Sequence, residues 1–258
     1  MCTHHYALAI ALAFVTEKCV AAPNIILLSG GPSSYDDKDP ELHDKSWDNF
    51  VTAPGLMFNA KLIPESSDRR EVWWFVYKPA YEARWNDDKN ANDFRKQHTE
   101  NVLKSYSSYV DLIEKKAAER KWRLRWVDSA KECWTRLETF QDPIDELHYW
   151  GHASNDLWLT CSHDQSHRAS EPSDPNAVIA VTNIANHAGL KNRFAAGRKA
   201  PCKFWGCNTA PFAKQWSTTM GTNAIGYKGA ITFVEIHKNK GMPSLSKGAE
   251  KKEYNAAN

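Results

Sequence analysis

Two stretches of the chain end a strand-like run in glycine and follow it at once with a reactive side chain. They are Leu147-His-Tyr-Trp-Gly-His152 and Lys203-Phe-Trp-Gly-Cys207. Glycine removes side-chain bulk where a backbone must turn sharply and a substrate must pass close. If the two strands are neighbours in one sheet, His152 and Cys207 project from adjacent loops over a single edge. A thiolate is the nucleophilic form of cysteine, and a nearby imidazole promotes it at neutral pH. Cys207 is also followed by Asn208-Thr209 and a helical pattern. Backbone N–H groups at such a helix N-terminus favour negative charge, on sulfur or on the oxyanion of a tetrahedral intermediate. A lone cysteine at a strand end is more often a small buried hydrophobe. Two such ends that converge on one site model favour the catalytic reading.

The remaining titratable residues offer less. His148, His152, Cys161, His163 and His167 are zinc-ligand types, but His148-x-x-x-His152 lacks the glutamate of HExxH and sits in strand-like sequence. No metal is assigned, and Cys-His chemistry requires no cofactor. Asp156 or Asp164 could orient His152, and nothing in the sequence singles out either. An acidic stretch, Asp36, Asp37 and Asp39 with Asp44 beyond, follows the first strand. Ligands of open α/β sheets gather beyond the carboxyl ends of the strands. Asp36, Asp37 and Asp44 are therefore candidates for receiving a basic substrate side chain, with a solvated charge run as the plainer alternative. Cys2, Cys19, Cys133, Cys161, Cys202 and Cys207 lie far apart with no CxxC pair, which fits reduced thiols better than a disulfide scaffold. Cys133 and Cys161 read as structural. Trp73, Trp74, Trp150, Trp158 and Trp205 fall in strand segments, where packing is the simplest role.

The whole chain bounds these readings. Its 258 residues, 42% of them hydrophobic, suffice for a substantial core. A net charge of +2 makes no electrostatic case for nucleic acid. The apolar run Tyr6–Val15 and the following Val20-Ala-Ala22 resemble a signal-peptide core and cleavage site, although no Lys or Arg precedes them. A cleaved signal and a short buried helix stand even. The run is much shorter than the ~18–20 apolar residues of a transmembrane span. Reduced thiols favour the cytoplasm, whereas removal of residues 1–22 would make the protein secreted or periplasmic.

The positioning elements follow from periodicity. Asn24–Ser29 reads as a buried strand stopped by Gly30-Gly31, and residues 32–48 as a surface loop. Asp48–Leu62 holds a short helix interrupted at Pro54-Gly55, and Glu71–Tyr77 is a strand ended by Pro79. Asp93–Arg120 reads as one long amphipathic helix capped by Asp93. Trp122–Val127 alternates like an edge strand, and Ser129–Phe140 is a helix with Ser129 as cap. Ile144–Trp150 is a strand, Asp156–Cys161 a short extension, 162–176 a polar loop and Ala177–Ala196 a helix in outline. Cys202–Trp205 is a strand, Thr209–Met220 a helix and Ala224–Ile236 a strand, leaving 238–258 as a polar mobile tail. Alternating strands and helices predict a three-layer α/β/α sandwich with a mostly parallel sheet, one domain spanning 23–237.

The stretches His148-Tyr-Trp-Gly-His152-Ala-Ser and Phe204-Trp-Gly-Cys207-Asn-Thr-Ala, with histidine before cysteine in the chain, resemble the caspase-like cysteine peptidases. That group includes caspases, metacaspases, clostripain, separase and toxin self-processing domains. Ala153 stands where the family usually has a glycine. The resemblance implies a caspase-like fold and an endopeptidase acting through a Cys-His dyad and an acyl-enzyme thioester. His152 would be the general acid/base and Cys207 the nucleophile, with the backbone N–H groups of Ala153 and Cys207 as oxyanion hole. The partner would be a protein or peptide substrate, in the manner of a bacterial effector or defence protease. Two alternatives stay open: a non-catalytic interaction module on the same fold, and a thiol-dependent amidase acting on cell-wall peptide.

Overall fold

A computed structural model describes residues 24–33, 45–63, 71–163, 169–195 and 200–256. Residues 1–22, the acidic stretch with Asp36, Asp37 and Asp44, and Asp164 and His167 lie outside this set. In chain order the first half carries β1 (Asn24–Ser29), α1 (Asn49–Asn59), β2 (Val72–Tyr77), α2 (Lys78–Lys89), α3 (Phe94–Leu103), α4 (Tyr109–Glu119), β3 (Arg123–Val127) and α5 (Ala130–Glu138). The middle carries β4 (Ile144–Trp150), β5 (His152–Ser154), β6 (Asp156–Trp158), β7 (Ser162–His163), β8 (Ala169–Ser170) and β9 (Val178–Ile179), followed by 3₁₀ turns over Val181–Arg193. The last part carries β10 (Cys202–Trp205), α6 (Ala210–Met220), β11 (Ala224–Lys228), β12 (Ile231–Thr232), β13 (Ser244–Leu245) and β14 (Glu250–Tyr254).

Parallel strands covered on both faces have no polar side to show, so they read as continuous apolar runs. β1, with all six residues buried, is such a strand and lies between β4 and β2 inside a seven-stranded sheet ordered β14-β11-β10-β4-β1-β2-β3. Every neighbouring pair is parallel except β11 and β14. Ile26, Leu28, Phe75, Leu147, Tyr149 and Phe204 face one core with Trp134 of α5 and Phe212 and Trp216 of α6. Ile25, Leu27, Trp74, Trp150 and Trp205 face the other with Phe50 and Met57 of α1 and Ile113 of α4. Helices thus cover both faces of the sheet. Strand order reverses between β1 and β4, which sets the carboxyl ends of these strands at the position where open α/β sheets collect ligands.

Several local expectations are corrected. The first helix is not interrupted: α1 runs through Pro54 and Gly55. Pro54 has no N–H for the Phe50 carbonyl, and the Ser29 hydroxyl of β1 donates to that oxygen instead, at 2.8 Å. The long pattern Asp93–Arg120 divides into α3 and α4. Asp93 does cap α3, but Ser108 starts a new helix, its hydroxyl accepting from Asp111 N–H while the Asp111 carboxylate accepts from Ser107 N–H. α2 carried no hydropathy signal because half its buried stripe is charged. Arg84 and Asp88 pair at 2.7 Å with both side chains fully buried, and the Tyr109 hydroxyl donates to Asp88 at 2.7 Å.

Ala177–Ala196 is no α-helix. It contains β9 and then 3₁₀ turns broken at His187. Ala224–Ile236 splits into β11 and β12, which pairs with β13. The polar segment from 238 is not an unstructured tail: β14 completes the central sheet against β11. Its sequence, Glu-Lys-Lys-Glu-Tyr, has no apolar face because an edge strand is held by its backbone ladder and is protected from further pairing by charge.

Candidate active site

β4 and β10 are hydrogen-bonded neighbours, with Lys203 opposite His148, Phe204 opposite Tyr149 and Trp205 opposite Trp150. The strand ends stay in contact past the sheet. Gly151 N–H donates to the Trp205 carbonyl at 3.2 Å and Asn155 N–H to the Asn208 carbonyl at 3.3 Å. A Cβ on Gly206 would lie 2.8 Å from Ala153 Cβ and 2.9 Å from the Gly151 carbonyl oxygen. The residue before the sulfur therefore packs directly on the two residues that flank the imidazole, and only a glycine fits.

The histidine turn is held from beneath. Tyr149, fully buried, places its hydroxyl 2.6 Å from both the His152 and Trp158 carbonyl oxygens, with one proton shared between them. A Cβ on Gly151 would come within van der Waals overlap of that hydroxyl. Burial is the main cause that keeps the Tyr149 phenol protonated far above its ordinary range. His152 opens β5, which folds back on β6 with His152 opposite Trp158. The residue is 9% exposed, and its ring meets Phe50 of α1 edge-on, 5.0 Å between centroids. Ala153 is not among the positive-φ residues, so this strand position has no need of glycine.

Cys207 sits on the sharp turn from β10 to α6. Asn208 takes the left-handed conformation, φ 52°, which Asn tolerates better than most residues. Its side-chain oxygen accepts from Gly229 N–H at 2.9 Å, and its own N–H donates to the Gly229 carbonyl at 2.9 Å. The Thr209 hydroxyl lies 2.8 Å from the Phe204 carbonyl and 3.1 Å from that of Gly206, and accepts from Tyr227 N–H. The Cys207 sulfur lies 3.4 Å from both the amide nitrogen and the carbonyl oxygen of Ile231 in β12. Ile231 N–H is a donor that favours the thiolate, while the carbonyl accepts from the thiol. Of the described cysteines, Cys133, Cys161 and Cys202 are buried, and Cys207 alone is partly exposed. Burial pushes the Cys133 thiol well above its ordinary range, which keeps it inert.

No family model matches the chain, and no curated protein sequence matches it. The site is left to its own geometry. That geometry sets the His152–Ala153 and Cys207 turns against each other at one sheet end, and one Asp156 carboxylate oxygen accepts from Val181 N–H at 2.6 Å. His148 is fully buried, its Nε2 2.8 Å from a Glu146 carboxylate oxygen. Among the described residues no group of three or more His, Cys, Asp or Glu is arranged to hold a metal ion. None of their helices is long and apolar enough to cross a membrane. Tyr149, Asn208, Thr209, Phe50 and Ile231 are the site residues that sequence reasoning missed. Asn208 left a signal, an Asn directly after the candidate nucleophile, where a left-handed turn is tolerated. Phe50 and Ile231 left none, because they reach the site only through the fold.

Proposed function

We propose that the protein is a cysteine endopeptidase of the caspase-like kind, with Cys207 as nucleophile and His152 as general acid/base. The observation that carries this reading is the packing of Gly206 on Gly151 and Ala153, which fixes the sulfur-bearing and imidazole-bearing turns against each other. The thiolate, favoured by Ile231 N–H, attacks the substrate carbonyl carbon, and the main-chain N–H groups of Ala153 and Cys207 receive the oxyanion. His152 carries the thiol proton to the departing amine, leaving an acyl group on sulfur as a thioester. It then takes a proton from water, which attacks the thioester and regenerates the thiol. Asp36, Asp37 and Asp44, on the stretch that follows β1, are proposed to receive a basic side chain next to the cleaved bond.

The test is a peptide acyloxymethyl ketone carrying Arg or Leu, followed by mass spectrometry of the labelled peptide. The expected result is alkylation at Cys207 that slows by roughly 10² to 10⁴-fold in His152→Ala. Cys207→Ala should abolish turnover, a loss on the order of 10⁴-fold or more. Folded protein that stays unlabelled identifies an interaction module instead. Cleavage of purified cell-wall peptide but not of protein identifies an amidase. Equal rates with the Arg and Leu probes remove the role given to the acidic stretch.

A further inference from the structure

A cleft of about 300 Å³ opens at the other end of the sheet, between β2, the edge strand β3 and the carboxyl end of α5. Its lining combines an aromatic wall with charges of both signs: Trp73, Phe75 and Phe140 beside Arg125, Arg136 and Asp142. Trp73 and Phe140 meet edge to face with centroids 5.2 Å apart, which holds the wall rigid. The volume suits a small molecule rather than a polypeptide.

The charges differ in how far they are already committed. Arg136 is held by Glu132, with contacts of 3.0 and 2.6 Å to one carboxylate oxygen. Arg123, next along β3 from the cleft, is paired with Glu71 at 2.5 Å. Arg125 has no carboxylate partner among the described residues. Its guanidinium lies 4.9 Å from the Trp73 ring centroid and makes one hydrogen bond, to the Leu124 carbonyl. A guanidinium carries five N–H donors in a planar fork suited to a carboxylate, so Arg125 is pre-positioned on an aromatic face with most of its donors available. Asp142 makes no hydrogen bond or ion pair among the described residues. Among the described residues the cleft therefore offers one cation and one anion that no side chain holds by a hydrogen bond or ion pair, beside an apolar wall, with Asp142 also in the field of Arg123.

We propose that this cleft binds a small aromatic zwitterion, of which an aromatic α-amino acid is the simplest form. The carboxylate pairs with Arg125, the ammonium with Asp142, and the ring lies on the Trp73–Phe140 wall. The site is independent of the peptidase reading, because β4 begins beside it and the Cys207 turn lies beyond the opposite strand ends.

Isothermal titration of the full-length protein with L-phenylalanine, 3-phenylpropionate, phenethylamine and L-alanine tests it. Saturable binding of phenylalanine is expected, with each singly charged analogue about tenfold weaker, the loss typical of one charge-assisted contact, and no measurable binding of alanine. Arg125→Gln should reduce phenylalanine to the level of phenethylamine, and Asp142→Asn to that of 3-phenylpropionate, with thermal melts confirming that both variants fold. Cys207→Ala should bind phenylalanine as the wild type does. Absence of binding at millimolar phenylalanine, no preference for the zwitterion, an unchanged Arg125→Gln, or loss of binding in Cys207→Ala would each overturn the proposal.

Discussion

Gly206 has nowhere to put a side chain: a Cβ would press on Ala153 and on the Gly151 carbonyl. Because both obstacles are backbone or first side-chain atoms, they cannot swing aside, and the two turns must separate. Displacement of this order at a reacting pair costs about 10²-fold in rate. Gly206→Ala should therefore slow alkylation of Cys207 by about that factor while the far-UV circular dichroism spectrum stays native. Equal labelling rates would show that contact between the turns is irrelevant to sulfur reactivity. At this scale the sequence disclosed the pair His152 and Cys207 and the glycines before them. It did not disclose Tyr149, whose hydroxyl reaches the His152 and Trp158 carbonyls where β5 pairs with β6.

Among the elements, α1 depends on groups outside itself. Ser29 donates to the Phe50 carbonyl that Pro54 leaves without a partner, and accepts from Trp74 Nε1 at 3.0 Å. Ser29→Ala leaves both buried groups unsatisfied and should cost about 2–4 kcal/mol of unfolding free energy by urea titration. The start of the same helix is tied by charge. Burial alone would raise the Asp48 carboxyl, but Lys116 of α4 and hydrogen bonds from Ser46 and Thr52 outweigh it and hold it below the ordinary aspartate range. A carboxyl depressed in the folded state adds stability that is complete above its unfolded pKa and disappears as pH falls through the folded one. Urea titrations from pH 6 downward should show wild type losing its advantage over Asp48→Asn below about pH 4. A constant difference across that range would assign the stabilisation to hydrogen bonding alone. These dependencies also explain why helix limits were hard to read. Pro54 marks a break in any isolated peptide, and α2 buries an ion pair where a pattern search looks for leucines.

For the whole molecule the last strand is the informative one. β14 pairs with β11 through five residue positions and covers an edge that would otherwise expose unpaired backbone groups beside Tyr227. A chain ending at Lys247 should melt at lower temperature and associate at concentrations where the full chain does not, as light scattering would show. An unchanged melt would mean that β14 contributes nothing to the sheet's stability. The same edge illustrates the limit of composition. Lys251 and Glu253 form an ion pair at 2.6 Å on an exposed surface, so the segment looks like solvent-facing chain until its backbone ladder is considered.

By itself the sequence determined the alternation of strands and helices, the apolar run of β1, the caps Asp93 and Ser129, and two glycine-led turns carrying an imidazole and a thiol. Each is a local property, written in hydropathy period, side-chain capping or backbone freedom. Only the tertiary structure decided that β4 and β10 are adjacent, that β14 belongs to the sheet, and that Phe50, Ile231 and Tyr149 surround the pair. Those facts depend on hydrogen bonds and contacts between residues far apart in the chain, which no short window of sequence encodes.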